Sequence, residues 1–262
     1  MVDSDQLWYD YTQGKQTYQQ LAIENNCSVK TIQRKLDLAQ TTVQTNFTSV
    51  VNVLMDTTYF GRIFGVMVFK DALTSQILYK QYVQQETNLG YKLGIEKIAQ
   101  RGIIIQAIIC DGRKGLLKLF VGFPIQMCCF HQVAIVRRYL TKNPKMQASK
   151  DLWELTLMLK NSDKESFEGG LTIWYSKWKM FLNEQKLNEK GKLRYVHKKL
   201  QSAYRSLKTN LPGLFTWYDY PELKIPSTTN AIDGHFSDLE NKLRCHNGLS
   251  IARKKKFIDE FF

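Results

Sequence analysis

The spacing of apolar residues changes character along this chain, and each change marks a boundary. Over residues 6–38 the spacing is helical. Gln6–Gln13 predicts a short helix ending near Gly14, and Thr17–Asn25 a second with Leu21 and Ala22 inward. Val29–Leu36 predicts a third, with Val29, Ile32 and Leu36 on one face and Ser28 placed to cap it. From residue 50 the pattern turns strand-like. Val50–Met55, Gly61–Lys70 and Gln76–Val83 are apolar or alternating runs joined by short turns, which predicts an antiparallel meander. Asn88–Gln100 is amphipathic, with Gly90 and Gly94 inside it. Ile103–Cys110 is an unbroken apolar run, the pattern of a strand buried on both faces. Arg113–Leu119 predicts a short helix, Pro124–Cys128 a fifth strand, and Cys129–Leu140 a helix with a basic end at Arg137 and Arg138.

The resulting order, β-β-β-α-β-α-β-α, predicts an α/β fold. Three meander strands followed by crossovers build a mixed five-stranded sheet with helices on both faces, the ribonuclease H-like arrangement. In that topology the first and fourth strands are neighbours. After residue 146 strand patterns stop. Leu152, Leu155 and Leu159 mark one helix, Phe167–Leu182 an aromatic-rich second, and Val196, Leu200, Tyr204 and Leu207 a third. This predicts an all-α insertion whose aromatic residues form its core. The expected organisation is a small helical unit and linker over 1–44, the linker being Thr41–Asn46. The first part of the sheet domain follows over 45–145, the insertion over 146–225, and a return helix with a basic tail over 226–262.

Charge narrows the class of partner. The net charge is +13 with a pI near 9.4, and a protein this basic suits a polyanion, nucleic acid before anionic membrane. The excess is uneven: −1 over 1–44, +6 over 45–140, +1 over 141–189 and +7 over 190–262. No apolar run reaches the roughly 18–20 residues of a membrane span, and the acidic start Met1-Val2-Asp3-Ser4-Asp5 is not a secretory signal. Five scattered cysteines do not form a disulfide framework and fit a reducing cytoplasm.

Three acids stand in suggestive places within the basic segments. Asp56 ends the run Val50–Met55, Asp111 ends Ile103–Cys110 and precedes Gly112, and Asp233 lies where Thr228-Thr229-Asn230 opens a helical stretch. Carboxylates at two neighbouring strand ends and on a late helix suit a pair of Mg²⁺ ions, because Mg²⁺ is a hard, oxygen-seeking cation. Mn²⁺ is the alternative ion. Asp56 would bridge the two ions. Any one of these acids alone reads as an ordinary turn or helix-surface residue. Arg113 and Lys114 are placed to meet phosphates. In the N-terminal unit, a turn before the third helix matches helix-turn-helix geometry, which would aim Lys30, Thr31, Gln33, Arg34 and Lys35 at DNA. A dimerisation or packing module is the other reading of that unit. Asn230 is placed to orient the third acid or cap its helix. His235 is either near the scissile phosphate or an ordinary helix residue.

Four motifs, in this order, carry a family resemblance: Met55-Asp56-Thr57-Thr58-Tyr59, Cys110-Asp111-Gly112-Arg113-Lys114-Gly115-Leu116, Cys128-Cys129-Phe130-His131, and Thr228-Thr229-Asn230-Ala231-Ile232-Asp233. Together they resemble the bacterial Mutator-like transposases of insertion sequences, within the acidic-triad, ribonuclease H-like superfamily, over residues 15–250. The resemblance implies Mg²⁺-dependent cleavage at element ends and strand transfer into target DNA. It implies double-stranded DNA partners (terminal inverted repeats and target), a dimer or higher assembly on DNA, and a cytoplasmic, nucleoid-associated setting. For Cys128 and His131 it implies a structuring or DNA-contacting role, beside the plainer reading of a buried Cys next to a helix-start His. Two features depart from the family pattern. The third acid there is commonly Glu, whereas here it is Asp233, with Glu240 two turns on as the reserve candidate. The cysteine-rich zinc module that often precedes the helix-turn-helix is not in this sequence. A plain nuclease and a transposase-derived DNA-binding protein without activity remain as alternatives.

Overall fold

The computed structural model describes residues 3–39, 49–246 and 248–262, so the expected linker Thr41–Asn46 lies outside the described residues. The described residues form two compact units, one from Met1–Phe47 with Ile232–Phe262, the other from Thr48–Ala231.

The larger unit is built on a mixed five-stranded sheet of order β3-β2-β1-β4-β5. Its strands are β1 (Val50–Phe60), β2 (Phe64–Asp71), β3 (Ile77–Val83), β4 (Ile104–Cys110) and β5 (Ile125–Met127). β1, β2 and β3 form the antiparallel meander, whereas β4 runs parallel to β1 and β5 parallel to β4. This α/β topology is compatible with a ribonuclease H-like fold. Every residue of β2 is buried, so both faces of the sheet are covered there. One cover is local: the helix Asn88–Ala99, capped by the Thr87 side chain on Gly90 N, packs over β2 and β3. Gly94 permits the close approach, because a Cβ at that position would lie 1.9 Å from Phe69 Cζ.

Two elements differ from expectation in this region. β1 runs on to Phe60 rather than stopping at Met55, because β2 continues to pair with it through Phe60↔Phe64. Asp56 is therefore inside a strand, not at its end; what ends near it is the pairing with β4, last seen at Leu54↔Ile109. The helix expected over Arg113–Leu119 is only a 3-10 turn at Leu116–Lys118, entered through Gly115 at φ +83°.

The N-terminal helices are α1 (Ser4–Thr12), α2 (Tyr18–Glu24) and α3 (Val29–Leu38), and Asn88–Ala99 is α4. α5 (Cys129–Leu140) follows β5, and the helical insertion then comprises α6 (Gln147–Leu157), α7 (Lys164–Leu182), α8 (Lys198–Leu214) and α9 (Thr216–Asp219). Leu152, Phe167, Leu171, Trp174, Leu200 and Leu207 are among its buried core. The aromatic residues serve that core: Trp174 Nε1 donates to Ala148 O at 3.0 Å, and Tyr175 stacks on Tyr204 at 4.8 Å. The insertion is not all-α. A hairpin of β6 (Gln185–Leu187) and β7 (Leu193–Tyr195) joins α7 to α8, turning through Gly191 at φ +69°. All six strand residues are exposed, so no alternation of buried and exposed positions announces them.

In the smaller unit, α1, α2 and α3 join α11 (Ile251–Phe261) and most of α10 (Asn230–Arg244). Leu7, Leu21, Ile32 and Leu36 are buried. The Phe257 ring of α11 meets Trp8 and Tyr11 at 6.4 and 6.3 Å. The basic run of the tail is partly consumed here. Arg253 grips Asp37 with two bonds of 2.9 and 2.8 Å, and Lys256 Nζ donates to the Leu36 and Asp37 carbonyls at the end of α3. A cation in that position satisfies terminal helix carbonyls and complements the helix dipole. Among the described residues no helix is long and apolar enough to cross a membrane.

The Gly94 contact yields a direct test. Gly94→Ala forces the new methyl into the Phe69 ring and lowers stability by about 1–3 kcal/mol, read as a fall in the urea midpoint. An unchanged midpoint contradicts the packing described.

Candidate active site

The parallel register of β1 and β4 brings two acids level. Leu54 pairs with Ile109, and Asp56 and Asp111 each lie two residues further on. A step of two keeps both on the same face of the sheet. Each is partly buried. Each carboxylate accepts a hydrogen bond from a nearby backbone amide: Thr57 N to Asp56 Oδ1 at 2.7 Å, and Arg113 N to Asp111 Oδ1 at 3.1 Å. The Cys110 thiol, next to Asp111 in the chain, is fully buried. Burial pushes it well above its ordinary pKa, and the charges of Asp111, Cys128 and Asp56 push it further. Both carboxylate charges are thus felt at one buried atom.

A chain of hydrogen bonds links the flanks of the two acids. Thr57 Oγ1 and the Tyr91 hydroxyl are 2.9 Å apart, and Tyr91 donates to Glu86 Oε1 at 2.8 Å. A phenol has one proton, so the Thr57 hydroxyl is the donor in its pair with Tyr91. Glu86 Oε2 then lies 3.4 Å from Arg113 Nη1. Arg113 Nε donates to Asn88 Oδ1 at 3.0 Å and its Nη2 to Glu86 O at 2.7 Å. Tyr91 is buried, and burial, with the Glu86 charge next, holds its hydroxyl far above the ordinary tyrosine value. It is a fixed donor at any working pH. Glu86 and Tyr91 carry no sequence signal. They lie in a loop and on a helix, and only the fold brings them beside Asp56 and Asp111. Arg113, expected on phosphate, spends its guanidinium on this link. Lys114 is exposed on the same loop, its carbonyl accepting from Asn88 Nδ2 at 3.1 Å.

The Cys128–His131 motif forms the third side. β5 pairs Met127 with Cys110, and Cys128 N donates to Cys110 O at 2.8 Å. Burial raises the Cys128 thiol, but hydrogen bonds with His131 and Thr229 outweigh it, leaving its pKa below the ordinary value. Thr229 donates to Cys128 Sγ from both its amide and its hydroxyl, each at 3.3 Å. His131 is one turn into α5, and one of its ring nitrogens lies within 4.8 Å of an Asp56 carboxylate oxygen. Asp111 offers no ligand atom within that distance of both. His131 therefore brings a ring nitrogen close beside Asp56.

The start of α10 is fastened to the same sheet. Thr229 holds Cys128, Cys129 N donates to Ser227 O at 2.9 Å, and buried Lys70 of β2 donates to Ala231 O at 3.0 Å. Asn230 is the exposed first residue of the helix, and Asp233 lies in its first turn. Asp233, His235 and Glu240 belong to the smaller unit. There the His235 ring packs on Phe261 and Phe262 at 4.8 and 5.3 Å, and Glu240 Oε2 lies 3.7 Å from Arg244 Nη2. On α3, Lys30 and Arg34 are exposed, Gln33 and Lys35 partly so, and Thr31 bonds the capping Ser28 side chain at 2.9 Å.

No family model and no curated protein matches the chain. Among solved structures, the Drosophila P element transposase strand transfer complex matches at 12% identity, covering 99% of this chain and 72% of that chain, with a TM-score of 0.37. A likeness this remote carries no argument about the site.

The hydrogen-bonded link is testable without any assay of activity. Tyr91→Phe leaves Thr57 and Glu86 without their shared partner, at a cost of about 1–2 kcal/mol. Denaturant unfolding measures it, and a variant as stable as the parent argues against the link.

Proposed function

We propose that the chain is a metal-dependent transposase of the insertion-sequence kind, cutting DNA at element ends and transferring the strand into target DNA. The observation that carries this reading is the β1–β4 register, which sets Asp56 and Asp111 level on one face of a sheet in a strongly basic protein. Carboxylate oxygens suit Mg²⁺, and the His131 nitrogen near Asp56 also suits Mn²⁺. On this reading Asp56, Asp111 and Asp233 hold the metal, with Glu240 in reserve. Bound there, a divalent ion pair activates the attacking oxygen and stabilises the leaving oxygen of a phosphodiester.

The chain's own residues supply position and charge. The amides of Thr57 and Arg113 orient the first two carboxylates. The Cys128–Thr229 and Lys70–Ala231 bonds fix where α10 begins, and hence the base from which Asp233 is carried. Lys114 faces phosphate. Lys30 and Arg34, exposed one turn apart on α3, read the element end with Thr31, Gln33 and Lys35, in the manner of a helix-turn-helix. Paired ends call for at least a dimer on double-stranded DNA, in the cytoplasm at the nucleoid.

The test is strand nicking of a supercoiled plasmid carrying the element end. The parent nicks only with Mg²⁺ or Mn²⁺. Asp56→Ala, Asp111→Ala and Asp233→Ala each lower the rate at least a hundredfold while retaining DNA binding by gel shift. Lys30→Ala with Arg34→Ala does the reverse, losing selectivity for the end. Nicking that survives Asp56→Ala or Asp111→Ala sinks the site. Metal-dependent nicking without end selectivity points instead to a plain nuclease, and end binding without nicking to an inactive derivative.

A further inference from the structure

A cleft of about 1020 Å³ opens immediately beyond Asp111. One wall is the loop Gly112–Lys118 that follows β4. The other is a single face of α8, where Ser202, Arg205, Ser206, Thr209 and Asn210 recur at helical spacing. Phe123–Ile125, Tyr139 and Tyr220 are also among its lining residues.

Three properties define what fits. The first is charge. Lys114, Lys118 and Arg205 are exposed along the cleft. The single lining carboxylate, Asp219, is gripped through both oxygens by Lys164 at 2.9 Å. The second is aromatic surface. Tyr139, Tyr220 and Phe123 stay 37%, 43% and 37% exposed although each borders the cleft. The third is a stiff wall. Gln132, fully buried on α5, donates to Ser206 Oγ at 3.1 Å and accepts from Asn210 Nδ2 at 2.8 Å. At the far corner Thr216 Oγ1 donates to Ile125 O at 2.6 Å. The α8 wall is therefore tied to α5, and the segment that follows it to β5.

We propose that this cleft binds unpaired DNA, the single strand adjoining the bond that is cut. This rests on the function proposed above. Cations spaced along a groove track a phosphate backbone, and exposed rings offer faces on which bases stack. A duplex keeps its bases stacked on one another, so Tyr139, Tyr220 and Phe123 would gain nothing from it. An acidic peptide would use the cations and leave the rings idle. The position matters as much as the chemistry. A strand whose phosphate lies at Asp111 has the cleft as its next surface, because Gly112 and Arg113 belong to both.

Fluorescence anisotropy of the full chain tests this, with a labelled oligothymidine and a labelled duplex of equal length across a salt series. Arg205→Ala and Tyr220→Ala are the variants, and neither residue belongs to the metal site. Arg205→Ala weakens single-strand binding and lowers its salt slope by about 0.7, the contribution of one phosphate contact. Tyr220→Ala weakens it roughly five- to 150-fold, the range of one stacked base, while Tyr220→Phe retains it. Duplex affinity changes less than twofold in all three. Single-strand binding that is unchanged in both alanine variants overturns the proposal, as does a parallel loss of duplex binding. The two readings separate cleanly. A parent that binds oligothymidine through these residues but never nicks DNA loses the enzymatic reading and keeps the cleft. A parent that nicks, with both variants binding normally, loses the cleft alone.

Discussion

The parallel pairing of β1 with β4 is the constraint on which the other features of the larger unit depend. β1 is antiparallel to β2 on one side and parallel to β4 on the other, so it is the strand where the meander meets the crossover half of the sheet. A one-residue slip in that register would turn one of the two acids to the opposite face. The apolar content of β4, ending in Ala107, Ile108, Ile109 and Cys110, all fully buried, makes such a slip expensive. Core packing therefore sets the geometry of the acids, rather than any interaction between them.

Around that register the polar groups divide the work. Asp56, held within a long strand, has rigid backbone on both sides. Asp111, at the start of a loop, depends on support from outside its strand. The Tyr91–Glu86–Arg113 link supplies it, tying the loop after β4 back to β1 through groups that are largely buried. A buried network of this kind is stiff when every member is bonded and costly when one is removed. Cys128 does a similar job on the other flank, gathering the ends of β4 and β5, the first turn of α5 and the residues before α10.

Much of this was legible in the sequence where burial wrote a pattern. β4 appeared as an apolar run, and its second half, Ala107–Cys110, is covered on both faces although Ile104 is exposed, while α5 and the aromatic helix α7 appeared through helical spacing. The extension of β1 through Asp56-Thr57-Thr58 did not, since polar residues in a strand that is only partly buried look like its end. The β6–β7 hairpin is exposed throughout and leaves no periodicity to read. Glu86 and Tyr91 meet Thr57 and Arg113 only through long-range folding, which no local spacing encodes. The basic tail is a related case: Arg253 and Lys256 satisfy Asp37 and the end of α3, an arrangement visible only once residues more than two hundred positions apart are in contact. The contact grouping of Ile232–Phe262 with the N-terminal helices follows from such pairs.

On the function proposed above, the β1–β4 register makes Asp56 and Asp111 two ligands of one divalent cation. Electron paramagnetic resonance of the full chain titrated with Mn²⁺ tests it directly. The expected result is a saturable bound signal in the parent that Mg²⁺ displaces, and at least a tenfold weakening in Asp56→Asn and in Asp111→Asn. Parent-like Mn²⁺ binding in both single variants would contradict it.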